Sequence, residues 1–263
     1  MAKYLEYLRI SFLNIFAYRA RYYVGIVTYI IYIAIYYSIW KAIYDHSPSI
    51  DGLSPGQMTT YVAVGWISRS FFFNNLDREI ERRVVDGSLA MDLLKPIDFQ
   101  AMAYARTFGE MLFRLVLFAL PTSVVAVMIF PVAPPASVPA AVAFVASSLM
   151  AALIYTNINF MIGSLAVPLK NIEGIAYAKQ NLLLFLSGLV VPFDLLPAWI
   201  GGVLKVLPFA AISYLPLNIY LGRVTGGDLA VSLAVQAAWA VGLLVAARGL
   251  WNLFTRRIVI QGG

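Results

Sequence analysis

Residues Arg78 to Lys95 read REIERRVVDGSLAMDLLK, and the reading of this stretch decides the fold. It follows one long apolar segment and precedes another, so it is expected to be a short loop between two membrane-spanning helices. A loop with so dense and ordered a set of charges is suited to touching another molecule at a membrane surface. The surrounding composition agrees: 61% of the 263 residues are hydrophobic, 12% are charged, and the mean hydropathy is +0.80. That leaves too little polar surface to cover a soluble globule of this size, and it places the chain in a bilayer.

A spanning helix needs roughly 20 mostly apolar residues. Working outward from the charged stretch, six such segments lie near Tyr22 to Ile43, Met58 to Leu76, Gln100 to Phe130, Val138 to Val167, Ile172 to Val191 and Asp228 to Leu250. The expected fold is an all-α membrane protein with six transmembrane helices. In this reading residues 1–21 form an interfacial amphipathic helix and 22–250 the transmembrane domain, with 251–263 as a tail. The charged loop occupies 77–99, and a re-entrant outer element occupies 192–227, before the last span.

Cytoplasmic loops hold the excess of Lys and Arg. With the N-terminus inside, fifteen of the 19 Lys and Arg fall on the cytoplasmic side or in the inner half of a helix. Only Lys41, Lys205 and Arg223 fall outside, and Arg114 lies within the third span. Both termini are therefore expected in the cytoplasm, with the chain in a cell membrane of prokaryotic type. The isoelectric point of about 9.5 follows from positive inner loops facing anionic membrane lipid, so no nucleic-acid partner is expected.

The chain has no Cys, which excludes disulfides and thiolate metal sites, and its one histidine, His46, sits in a Pro/Gly/Ser-rich loop. No GxxxxGK[ST] motif occurs, so no phosphate-binding loop for ATP is carried here. If the chain works with ATP, the ATPase is another polypeptide.

In the first twenty residues Tyr4, Leu5, Leu8, Phe12, Ile15 and Phe16 gather on one helical face, opposite Lys3, Glu6 and Asn14. That pattern describes a helix lying in the membrane interface, either as a plain anchor or as a lever touching a partner. Further along, Pro192, Pro197, Pro208 and Pro216, with Gly201 and Gly202, interrupt an apolar sequence too broken for one clean span. A re-entrant hairpin or a pair of short outer helices fits better.

This arrangement resembles the membrane subunits of type-2 ABC transporters, also called type V exporters. The closest local likenesses are VDGSLAMDLLKP, Val85 to Pro96, and PFAAISYLPLNIYLG, Pro208 to Gly222. Lys95 stands where that family's pattern has Arg. The resemblance implies a permease that pairs with a second permease, a copy or a sister chain. It also implies two ATPase subunits, which bind the ATP and Mg and signal through the loop after the second span; the chain itself is expected to bind no cofactor. In that role Arg82, Arg83, Asp86, Asp92 and Lys95 would pair with charges on a soluble domain, with Gly87 giving a tight turn and Pro96 stiffening the exit.

Charges inside spans cost roughly 2.5–3.5 kcal/mol near the bilayer centre. Arg106, Glu110 and Arg114 are spaced to stack on one helical face. Arg69, about two and a half turns from the inner end of the second span, is expected within reach of Glu110, completing a charge network. In the first span Tyr18, Tyr22, Tyr29, Tyr32 and Tyr36 fall on one stripe, read either as helix packing or as an aromatic wall for a flat, apolar or cationic molecule. Phe71, Phe72 and Phe73 would extend that wall. The expected activity is export of an amphiphilic, drug-like or toxic compound. Export of a lipid-linked polysaccharide, an intramembrane lipid-modifying enzyme and a passive channel stand as alternatives.

Overall fold

The computed structural model describes residues 2–16, 20–45 and 49–256, without the side chains of 2, 14–16 and 20–23. The Tyr22 side chain, Tyr18 and His46 lie outside that description. The ordered elements are helical: α1 (Ala2–Phe16), α2 (Ala20–Tyr44), α3 (Pro55–Phe72), α4 (Leu76–Val85), α5 (Ser88–Leu93) and α6 (Phe99–Arg114). A π-helical turn at Leu115–Ala119 follows, then α7 (Leu120–Ile129), α8 (Val138–Ser164), the short α9 (Ala166–Leu169) and α10 (Glu173–Leu186). A 3₁₀ turn (Phe193–Leu195), α11 (Ala198–Val206), α12 (Tyr214–Tyr220) and α13 (Gly226–Thr255) complete the chain.

Among the described residues four helices are long and apolar enough to cross a membrane: Val24–Tyr44, Phe99–Ile129, Val138–Leu169 and Gly226–Thr255. The other two expected spans are shorter. Helix α3 has 18 residues, and its Gln57, Thr59, Thr60, Ser68, Arg69 and Ser70 lower its hydropathy, yet it is buried along most of its length. A helix that polar is held by protein on its sides. Helix α10 has 14 residues, about 21 Å at 1.5 Å per residue, short of a hydrocarbon core of about 30 Å. The segment before the last span holds two short helices, α11 and α12, as its prolines require.

Local chemistry sets the ends of these helices. Ser54 opens α3 with a capping box: its hydroxyl accepts from the Gln57 amide at 3.2 Å, and the Gln57 side chain accepts from the Ser54 amide at 3.0 Å. The α3 helix ends at Phe72, earlier than expected, because Phe73 turns extended and the Asn74 side chain bonds the Phe72 carbonyl and the Leu76 amide. In the third span Pro121 has no amide to offer the preceding turn. The Leu120 amide bonds instead to the Leu115 carbonyl, five residues back, which is the π turn.

Lipid tails are as apolar as leucine, so helices in a bilayer associate through close packing and interhelical hydrogen bonds. Helices α8 and α13 meet in this way. Ser147 donates to Gln236 Oε1 at 2.8 Å, Gln236 donates back to the Ser147 carbonyl at 2.9 Å, and Asn157 donates to the Ala240 carbonyl at 2.9 Å. Helix α1 lies across α6, where a Cβ at Gly109 would overlap the Leu8 carbonyl. The expected apolar face of α1 makes this contact: Phe12 packs edge-on to Phe113 at 5.7 Å, and the Tyr4 hydroxyl accepts from the Asp98 amide at 3.2 Å.

Candidate functional site

The charged stretch is a helical hairpin, which corrects the expected loop. Helix α4 carries Arg78, Arg82 and Arg83, the chain turns at Gly87 with φ +77°, and α5 returns. Only glycine adopts that left-handed conformation without strain. Asp86 fastens the turn, its Oδ1 accepting from the Ser88 amide at 2.9 Å. The Ser88 hydroxyl first, and then that amide, hold the exposed Asp86 carboxyl below its ordinary value of 3.8.

Inside the hairpin one arginine joins both arms. Arg83 donates to Glu79 at 2.6 Å and to Asp92 at 2.5 Å, and Lys95 donates to the other Asp92 oxygen at 2.5 Å. Asp92 is 4% exposed. Burial pushes its carboxyl up, but the Lys95 hydrogen bond and the Arg83 charge outweigh burial and leave it below the ordinary range. Arg83 and Asp92 are therefore spent within the hairpin, not offered outward as expected, because α4 and α5 pack side by side and bring the two together. Arg82, Asp86, Gly87, Lys95 and Pro96 are exposed. Beside them stand Val85, Met91, Leu93 and Leu94, the last 75% exposed. These four apolar residues were not read as a surface in the sequence, because their exposure depends on how α4 and α5 pack.

Behind the hairpin lies a buried polar network that the sequence reading also missed. Lys179 of α10 donates to Asp77 at 2.6 Å and to Asn159 at 2.5 Å. Asn159 in turn donates to the Asn74 side chain at 2.8 Å, and Asn74 donates to Thr156 at 3.3 Å. Two more links tie α10 to α4: the Ile172 amide donates to Glu81 at 2.7 Å, and the Arg78 guanidinium lies 4.9 Å from the Tyr177 ring centre. The Asn-Ile-Asn run in the fourth span was the available signal, since polar amides at that depth need partners.

The sequence profile of the ABC-2 family transporter proteins matches residues 30–262. The chain belongs to this family. No curated protein matches it. As an ABC-2 protein it is a multi-pass permease component of an ABC transporter, a kind of subunit that works with a separate ABC ATPase.

The intramembrane charges of this ABC-2 permease are arranged differently from the expected ladder. Glu110 pairs with Arg114 at 3.1 Å, while Arg106 turns the other way, 3.8 Å from Glu79 and over the Tyr7 ring. Arg69 makes no ion pair with Glu110. It sits in the last turn of α3, one turn from the Phe73 break, with its guanidinium 4.8 Å from the Phe73 ring centre.

The tyrosine stripe also meets protein. Tyr32 stacks on Trp66 at 4.6 Å, and Tyr29 and Tyr36 lie against the same indole at 5.9 and 5.6 Å. Phe72 is buried against Tyr155, so it lines no cavity. Phe71 does. It borders an apolar groove of about 280 Å³ with Ile67, Leu115, Ser123, Phe144 and Tyr220, beside the π turn between α6 and α7.

Proposed function

We propose that this ABC-2 permease is half of an ATP-driven exporter that moves an amphiphilic, drug-like or toxic compound out of the cytoplasm or inner leaflet. In this reading the α4–α5 hairpin faces the cytoplasm, as do both termini, and docks the ATPase that carries ATP and Mg. Helices α3 and α10 complete six spans, α11 and α12 form the re-entrant outer element, and a second permease, copy or sister, completes the path.

The observation that supports this reading is the hairpin itself. Its inner charges are neutralised by the Arg83–Asp92–Lys95 clamp, which leaves a stiff elbow. The elbow presents Arg82, Asp86 and Lys95 around the exposed Val85, Met91, Leu93 and Leu94. An apolar patch rimmed by charge is the anatomy of a protein-docking surface, and a stiff element transmits a push better than a loop does.

Gentle solubilisation of the tagged chain from its host, followed by mass spectrometry of co-purifying proteins, tests the proposal. An ABC ATPase is expected with the wild type and is expected to be lost with Leu94→Glu at unchanged melting temperature. A clean native complex without any ATPase would overturn the reading.

A further inference from the structure

Arg69 is an arginine in the wrong place for a permease of purely apolar or cationic compounds. It is 6% exposed and sits among helices that cross the bilayer. An arginine stays charged under all conditions a protein meets, so its charge needs an answer. Among the described residues no carboxylate lies within ion-pair distance of Arg69, and its side chain makes no hydrogen bond. The nearby acids are already taken: Glu110 by Arg114, and Asp77 by Lys179. What remains is the Phe73 ring face and the C-terminal dipole of α3, both weaker than a hydrogen-bonded ion pair. Arg114 approaches the same Phe73 ring to 5.8 Å, so a second positive charge adds to the field.

Two further observations point toward a ligand. The sealed side-chain atoms without a partner among the described residues are Asp77 Oδ1, Gln100 Oε1, Ser148 Oγ and Asp194 Oδ2. The Arg69 nitrogens, equally without a hydrogen bond, are not among these sealed atoms. The Tyr29 hydroxyl, within electrostatic reach of both Arg69 and Arg114, likewise has no hydrogen bond among the described residues. The Tyr29 ring is fixed by Trp66 and by Phe118 at 5.2 Å. A guanidinium and a phenol held by aromatic neighbours form a ready pair of donors. Nearby, a polar cleft of about 460 Å³ beside the hairpin is lined by Asn74, Arg78, Glu79, Arg82, Thr107 and Glu110; Glu79 and Glu110 are paired with other arginines, and neither Arg78 nor Arg82 makes an ion pair among the described residues.

We infer that Arg69 and Tyr29 form a binding point for an anionic headgroup, a phosphate, sulfate or carboxylate on an apolar tail, with Arg78 and Arg82 marking its approach. This deepens and rests on the exporter reading above. The headgroup comes either from the transported amphiphile or from a resident anionic lipid.

The test uses the permease in phosphatidylcholine nanodiscs, with its ATPase where one co-purifies. It is titrated with fluorescent dodecyl phosphate and with dodecylphosphocholine. Wild type is expected to bind the phosphate-headed chain about tenfold tighter, the effect of one charge-assisted hydrogen bond. Arg69→Gln is expected to bind both alike, and Arg69→Lys to keep part of the preference. Equal binding of the two probes by wild type, or full discrimination by folded Arg69→Gln, would overturn the inference. Should Arg69→Gln not fold, wild type and Arg69→Lys decide it. Native mass spectrometry after adding phosphatidylglycerol separates the sources: a lipid kept by wild type through ATP turnover is resident, and one displaced by dodecyl phosphate shares the transport site. If no ATPase accompanies the chain, the exporter reading falls, while the probe selectivity of the permease alone still decides the anion site.

Discussion

Lys179 on α10 and Asp77 at the head of α4 meet at 2.6 Å with both side chains withdrawn from the surface, 10% and 2% exposed. Through that contact a helix with little apolar burial of its own is fastened to the hairpin. Of α10, only Ala176 and Leu183 are buried, and the Glu81 and Arg78 contacts lie on the same side. Movement of the hairpin therefore reaches α10 through polar links.

Removing one partner of this pair leaves an uncompensated buried charge, a loss of about 3–5 kcal/mol. Lys179→Met and Asp77→Asn are each expected to lower the melting temperature in detergent strongly. The double variant is expected to lose much less than the sum of the two. Additive losses would show that the pair does not act as a unit.

The hairpin clamp gives a pH dependence of known sign. Asp92 is held below its ordinary value of 3.8, so the stabilisation from its pairing is complete above that value. It is lost as pH falls through the lower folded value. Because the chain has no cysteine, a single dye on Leu94→Cys reports hairpin mobility. Its anisotropy is expected to stay flat from neutral pH to about pH 4 and to drop below that, and Asp92→Asn should read as loose throughout. A midpoint near neutral pH would contradict the assignment.

At Gly87 the φ of +77° makes any L side chain strained by about 1–2 kcal/mol. Open space surrounds its Cβ position, so backbone strain is the whole effect. Gly87→Val is expected to raise proteolysis between Val85 and Ser88 and to weaken ATPase co-purification without changing the melting temperature of the bundle.

Trp66 is the common surface of Tyr29, Tyr32 and Tyr36. Truncating it to Ala is expected to cost about 3 kcal/mol, seen in thermal unfolding, while Trp66→Phe retains most of the stability. An Ala variant as stable as wild type would mean that the stripe faces a cavity after all.

Much of this was readable in advance. The apolar runs, the breaks at Pro192 to Pro216 and the tight turn at Gly87 each follow from interactions within a few residues. The amphipathic face of α1 was legible for the same reason, and its Tyr4 and Phe12 make the contacts that face implies. The site was less legible. Arg82, Asp86 and Lys95 stand exposed on the hairpin, but Arg83 and Asp92, nine residues apart, turned inward on each other.

What the linear order of residues determined, then, was class and segment: an all-helical membrane chain with a charged, turn-bearing stretch after its second expected span, because hydropathy and turn chemistry act locally. Which charge answers which was settled only by the packing of the helices. Asp77 and Lys179 lie 102 residues apart, and Glu110 pairs with Arg114 on its own helix, not with Arg69 on α3. A buried charge takes whatever partner the tertiary fold brings within a few ångströms, and no spacing along the chain encodes that distance.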